Sequence, residues 1–248
     1  MTDAENPSEQ VCANCGAPRS NPYCGQCGQH EKGSRRLRMR DIAANFAEAL
    51  LDVESPLPAT LIGLLRNPGQ VCLDFVNGRR KRYLNPFAFL LVAVTAQIIL
   101  SSGLRWTGWI VPQPDEPGPI PDDALNWVLF AIVVPLAFLW TKLFASSARN
   151  SAENYVLGLY LLGLFAWIEL MLLPLTFVAA PDSIQLVVYL IVWLTIATWA
   201  GAIFYSMPCY SVFWRMLAST TVTFLVFGGL LFAVMEAVAF FRPDEITK

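Results

Sequence analysis

Two Cys-x-x-Cys pairs, Cys12/Cys15 and Cys24/Cys27, stand near the start of the chain, each followed by a glycine, Gly16 and Gly28. Two residues between thiolates let both sulfurs reach one ion, and the glycine permits the tight turn of a metal knuckle. Four thiolates close a tetrahedral shell and leave no position for water or substrate. The spacing therefore predicts a structural Zn2+ ribbon and not hydrolytic metal chemistry. The segment between the pairs carries Pro18 and Pro22 and is too short for a core of its own. The metal then supplies most of the ribbon's folding free energy, roughly 10–16 kcal/mol by the measure of zinc-finger peptides. Disulfides or a redox pair would use the same residues. Disulfides need an oxidising compartment, yet the residues before Cys12 are polar. A redox motif comes singly beside a βαβ pattern, which is absent. The single histidine, His30, lies just beyond the last cysteine and reads as a surface residue.

Other chemistry is sparse. Glu169, in Trp167-Ile168-Glu169-Leu170-Met171, and Glu236 are the acids inside long apolar stretches. Burying a charge there costs roughly 2.5–3.5 kcal/mol, which makes both candidate intramembrane polar sites. Gln97, Thr195 and Thr198 are the neutral groups that could meet them. One reading is a protonated glutamate bonded between helices; the other is an ion-coupled path between helices broken at Pro135 and Pro174. Histidine is absent beyond residue 30, which removes the commonest general base. No Gly-x-Ser-x-Gly, phosphate loop or His-Glu-x-x-His pattern occurs, so no enzyme is expected. Cys72 and Cys209 are isolated and read as small apolar residues, though Cys209 in a cytosolic turn is also open to palmitoylation. Trp106, Trp109, Trp127 and Trp214 fall near the ends of the apolar stretches, as an interfacial aromatic belt does.

The elements that must position these residues are mostly membrane spans. Hydrophobic residues make up 55% of the 248-residue chain and charged ones 15%, the latter gathered towards the N-terminal third. Stretches 86–104, 125–145, 155–179, 184–206 and 212–241 each satisfy the bilayer requirement of about 20 apolar residues. The fold class expected is an all-α integral membrane protein. It comprises a five-helix transmembrane bundle (85–248), a small N-terminal cytosolic zinc ribbon (1–31) and a basic amphipathic helical linker (32–84). Orientation follows lysine and arginine. Lys32, Arg35, Arg36, Arg38, Arg40, Arg66, Arg79, Arg80, Lys81 and Arg82 precede the first span, while the following loop holds one arginine against Asp115, Glu116, Asp122 and Asp123. Arg149 and Arg215 fall on the inner side in turn. The N-terminus is then cytosolic and the C-terminus outside, which agrees with reduced thiols.

Within the linker, Ile42, Phe46 and Leu50 recur at helical spacing over Leu37 to Val53, behind a basic start suited to anionic headgroups. Short helices follow from Ala59 to Arg66, stopped by Pro68-Gly69, and from Gln70 to Asn77. Arg79, Arg80, Lys81, Arg82 and Tyr83 then abut the first span. They serve as a positive-inside anchor with an interfacial aromatic, and offer contacts to anionic lipid headgroups or phosphate. Nucleic acid is not the expected partner, because these cations abut the membrane and the ribbon itself carries only Arg19.

The cysteine frame Cys12–Gly16, the run Tyr23-Cys24-Gly25-Gln26-Cys27-Gly28-Gln29, the element Thr60–Pro68 and the sequence Gly78-Arg79-Arg80-Lys81-Arg82-Tyr83-Leu84-Asn85-Pro86 share a further property. Together they resemble a bacterial family of membrane proteins known only as a domain of unknown function. The resemblance covers about the first 100 residues and implies the same architecture: a ribbon, an amphipathic stretch and a Gly-Arg-Arg-x-Arg-Tyr-x-x-Pro signature before the first span. It implies no reaction. The functional expectation is a non-enzymatic inner-membrane protein with an assembly, scaffold or regulatory role. Its ribbon would dock a protein partner and its basic segment would meet membrane lipids. The alternative is a small permease-like transporter with Glu169 and Glu236 in its path.

Overall fold

Asparagine before proline starts two of the helices. Asn67 accepts a hydrogen bond from the Gln70 N–H at 3.0 Å and Asn85 accepts one from the Phe87 N–H at 3.0 Å. In both cases proline follows as the first helical residue, where its missing N–H costs nothing. The computed structural model describes residues 10–19, 21–30, 37–38, 57–107, 122–172 and 182–241, with side chains at 10, 101, 105, 122–132, 182–183 and 230–241 left undescribed. Two short strands, β1 (Gln10–Val11) and β2 (Pro18–Arg19), pair antiparallel. Two short helices follow, α1 (Leu57–Arg66) and α2 (Pro68–Val76), and then α3 (Pro86–Trp106). A second group comprises α4 (Asp122–Leu143), a 3₁₀ turn (Ala145–Ser147) and α5 (Ser151–Leu172). The last two helices are α6 (Asp182–Tyr205) and α7 (Cys209–Phe241).

The five long helices lie where the five apolar stretches predict them. Four contain segments long and apolar enough to cross a membrane, namely Pro86–Leu104, Ser151–Leu172, Ile184–Tyr205 and Cys209–Gly229. The chain is accordingly a multi-pass membrane protein in outline. The described side chains of α4 give only the shorter apolar run Val133–Leu143.

Several boundaries differ from expectation for local reasons. α5 begins at Ser151, not 155, because Asn150 and Glu153 exchange bonds: the Glu153 N–H donates to Asn150 Oδ1 at 2.8 Å and the Asn150 N–H to Glu153 Oε2 at 3.3 Å. This reciprocal cap fixes the helix one turn early. α2 starts at Pro68 and not at Gln70, because the Asn67 cap places proline at the first helical position, while α1 ends at Arg66 as expected. α4 runs unbroken through Pro135, so that residue marks no discontinuity; a bundle helix tolerates the lost backbone bond. Pro174, the joint at Pro181 and the amphipathic stretch beyond Arg38 lie outside the described residues.

α5 is the axis of the bundle. Of its span, 61% is buried inside the protein, against 17% for α6 and for α7. It carries apolar residues on every face, and α3, α4, α6 and both short helices pack on it. Gly163 permits a close approach: a Cβ there would meet Phe89 Cδ1 at 2.6 Å, so α3 and α5 touch backbone to ring. α2 is equally enclosed, with Val71, Cys72, Phe75 and Val76 buried against α5 and α6. Tryptophans do more than mark the ends. Trp106 and Trp214 are exposed as an interfacial belt requires, but buried Trp140 donates to Ser219 Oγ at 2.7 Å and Trp193 to Thr220 Oγ1 at 3.1 Å, tying α4 and α6 to α7.

Candidate metal centre and its seat on the bundle

The first knuckle is a hairpin whose Gly16 N–H donates to Cys12 O at 2.9 Å and whose Cys12 N–H donates to Ala17 O at 2.9 Å. The second repeats it: Gly28 N–H to Cys24 O at 2.8 Å and Cys24 N–H to Gln29 O at 2.9 Å. Gly16 (φ 76°) and Gly28 (φ 68°) are left-handed, as each turn requires. The knuckles face one another, with Cys12 Sγ 3.6 Å from Cys27 Sγ and Cys15 Sγ 3.5 Å from Cys24 Sγ. All four sulfurs lie within 4.8 Å of one another. A tetrahedral ion with sulfur at 2.3 Å separates its ligands by about 3.8 Å, so this cluster could hold a metal ion. His30 is not part of it; its ring meets that of Tyr23 edge-on at 4.6 Å.

Ionisation is unevenly shared among the thiols. The N–H groups of Cys27 and Gln26 point at Cys24 and hold it down to about 6. Burial opposes ionisation of Cys12, but the N–H groups of Cys15 and Asn14, with Cys27, outweigh it and lower this thiol too. At Cys15 the Ala17 N–H favours the thiolate, yet burial and the neighbouring thiols prevail and push it up to about 12. Two thiols of lowered pKa, one at the head of each knuckle, suit a site that must shed protons to take a cation.

The ribbon is seated on the rest of the protein. Gln29, buried directly after the second knuckle, donates from Nε2 to the carbonyl of Gly78 at 2.7 Å. Gly78 (φ 99°) follows Asn77, the C-cap of α2, and opens the basic signature. The loop that follows is organised by Asp74, a buried acid of α2. Its carboxylate accepts from Gln70 Nε2 at 2.9 Å, Arg79 Nη1 at 3.3 Å and the Tyr83 hydroxyl at 3.2 Å, and its carbonyl accepts from the Arg79 N–H at 2.8 Å. Arg80 lies 5.8 Å over the Phe75 ring and Arg82 5.5 Å over that of Tyr83. Lys81 is exposed. Tyr83 is raised from its ordinary value, mainly by burial and then by the Asp74 charge. Leu84 joins two elements, its N–H donating to Thr60 Oγ1 of α1 at 2.8 Å and its carbonyl accepting from Tyr160 of α5 at 2.7 Å. Burial pushes the Cys72 thiol well up, and Cys72 is core; Cys209 is exposed at the start of α7.

The helix ends of the bundle hold two further arginines. Arg149 lies 4.9 Å over the Phe204 ring and donates to the Phe204 carbonyl at 3.4 Å. Arg215 lies 5.5 Å over Phe144, which stacks on Tyr205 at 3.9 Å with 5° between the planes. The C-terminal ends of α4 and α6 thus meet the starts of α5 and α7 at one end of the bundle. Buried Asn154 closes this end, accepting from the Tyr205 hydroxyl at 3.0 Å and donating to Thr141 at 2.9 Å.

Within the spans, Gln97 of α3 donates to Glu169 Oε2 of α5 at 3.0 Å and to the Ala166 carbonyl at 3.2 Å. Thr195 bonds the Ile191 carbonyl of its own helix, and the buried Thr198 hydroxyl has no hydrogen-bond partner among the described residues. Glu236 lies in α7, but its side chain is outside those described. Sequence reasoning missed Gln29, Asp74, Glu153 and Asn154. Asp74 had a signal, an acid in a mostly apolar helix before the run Arg79–Arg82, and Glu153 had one in Arg149 four residues earlier; Gln29 stood inside a quoted motif that gave no hint of burial, and Asn154 had no signal.

No curated protein and no solved structure matches this chain. Residues 54–98, which hold α1, α2, the basic loop and the first part of α3, match the family model described as a protein of unknown function (DUF3667).

Proposed function

We propose that this chain is a non-enzymatic inner-membrane protein of five spans, N-terminus inside and C-terminus outside. Its four-cysteine ribbon binds one structural Zn2+ and serves as a cytosolic docking module for a protein partner. The role is assembly or regulation: whatever engages the ribbon bears directly on the loop that leads into the first span. The carrying observation is the buried Gln29–Gly78 hydrogen bond, which ties the second knuckle to that loop. Val11 on β1 and Tyr23 just before the second knuckle, both exposed, supply an apolar surface for a partner. Positive-inside topology is supported by Arg79–Arg82, Arg149 and Arg215 lying at one end of the bundle. The experiment is affinity capture from native membranes with wild type and Cys24→Ser/Cys27→Ser at matched membrane abundance, with metal content measured in both. A partner retained only by the metal-loaded protein supports the reading. An identical partner list despite metal loss defeats it.

A second reading, a small permease, rests on the Gln97–Glu169 contact between α3 and α5. Solute flux into vesicles that is unchanged by Glu169→Gln and Glu236→Gln would remove these acids from any path.

A further inference from the structure

α1 turns an apolar face away from the protein. Thr60 and Leu64 are fully buried, and Gly63 sits against Val71 and Tyr83. On the opposite side Pro58, Ala59, Ile62, Leu65 and Arg66 are exposed, Ile62 by 48% and Leu65 by 43%. At 3.6 residues per turn these five positions form one stripe, apolar except for the arginine at its end. A helix apolar on both faces needs cover on both. The depth of this face is fixed by covalent and hydrogen-bonded neighbours: Thr60 accepts the Leu84 N–H, two residues before Pro86 opens the first span. The outward face therefore lies where that span enters the bilayer. Exposed Arg66, Arg79, Lys81 and Arg82 belong to the same layer, since Tyr83 and Leu84 contact α1.

We infer that α1 is an interfacial helix, its Pro58–Leu65 face sunk into the headgroup–acyl boundary of the bilayer and its bordering cations paired with anionic lipid. The geometry is that of an in-plane anchor: apolar side chains reach a few ångströms into the acyl region while arginine stays with the phosphates. Charge complementarity selects the occupant, because a polar cytosolic partner would leave Ile62 and Leu65 uncovered and a second copy would oppose arginine to arginine. The inference rests on the reading of α3 as a span.

The test places benzoylphenylalanine, a photo-crosslinking residue, singly at positions 62, 65 and 99 of the full-length protein. Each version is reconstituted in nanodiscs of phosphatidylcholine with phosphatidylglycerol, and adducts are read by mass spectrometry. Ile99, exposed on α3, reports on the span itself. Lipid adducts at all three positions are expected, with phosphatidylglycerol enriched at 62 and 65 over its bulk fraction. Arg66→Gln should cut that enrichment about fivefold, which corresponds to ~1 kcal/mol per cation near an anionic surface. Lipid adducts at 99 alone overturn the interfacial helix while leaving the span intact; none at 99 overturns the span as well. Protein–protein adducts at 62 or 65 assign the face to a second copy and overturn the lipid contact. Lipid adducts at 62 and 65 without phosphatidylglycerol enrichment overturn its anionic part.

Discussion

Gln29 and Gly78, 49 residues apart, are joined by a buried 2.7 Å hydrogen bond that fastens a cysteine knuckle to the last residue before the basic loop. The donor follows a knuckle turn and the acceptor follows a helix end, so each is held by its own local structure before the two meet. Gln29→Ala should leave the Gly78 carbonyl unsatisfied at a cost of about 1–3 kcal/mol. Tryptic cleavage at Arg79–Arg82 should then quicken roughly tenfold, for about 1.4 kcal/mol lost. Unchanged cleavage would show that the ribbon is not held there.

Metal removal should act further. One zinc per chain is expected by elemental analysis, and a strong chelator or Cys24→Ser should unfold the knuckles, since the metal contributes roughly 10–16 kcal/mol. The tryptic sites of Gln29→Ala should open in the stripped wild type too. If the stripped protein keeps them closed, the ribbon folds and docks without metal.

Asp74 should be the costliest polar residue of the signature. Asp74→Ala deprives the buried Tyr83 hydroxyl and the Gln70 amide of their acceptor, with a loss of about 1–3 kcal/mol. The melting temperature in detergent measures this, and a value within a degree of wild type would contradict the assignment.

Tyr83 gives the same cluster a pH dependence. Its value lies above the ordinary 10 because burial, then Asp74, disfavours the phenolate. The folded state therefore holds the proton more tightly than the unfolded one. This contribution is complete below pH 10 and is lost as pH rises through the folded value. The melting difference between wild type and Tyr83→Phe should shrink above pH 10; a constant difference would exclude the linkage.

Gly163 tests the bundle. In Gly163→Val the new side chain meets the Phe89 ring, and overpacking of this kind costs about 1–3 kcal/mol. A lower melting temperature, partly restored by Phe89→Leu, is the expected result.

What could be read in advance followed the range of each signal. Cys-x-x-Cys-Gly is a local statement about reach and turn geometry, and the four sulfurs gather as that spacing requires. Long apolar stretches announce helices, and the five long described helices stand at those stretches, displaced by a few residues, at α5 by the Asn150–Glu153 cap. Gln97 as neighbour of Glu169 was also legible, because few polar groups occupy the spans. The central position of α5 was not, since all the spans are similarly apolar and hydropathy carries no record of which helix neighbours which. Gln29 was equally silent: a buried glutamine and a surface one look alike until the acceptor 49 residues away is in place. Pro135 misled because proline breaks helices in water more readily than in a bundle.

The enclosed position of α5 also sets an order of biogenesis. α3 and α4 leave the ribosome before α5, yet each packs chiefly on that later helix. They must wait as separate helices in lipid until Ser151–Leu172 arrives between them. A chain halted before Ser151 should therefore present quality-control proteases with two long apolar helices lacking their main neighbour, whereas one halted after Leu172 already possesses its axis.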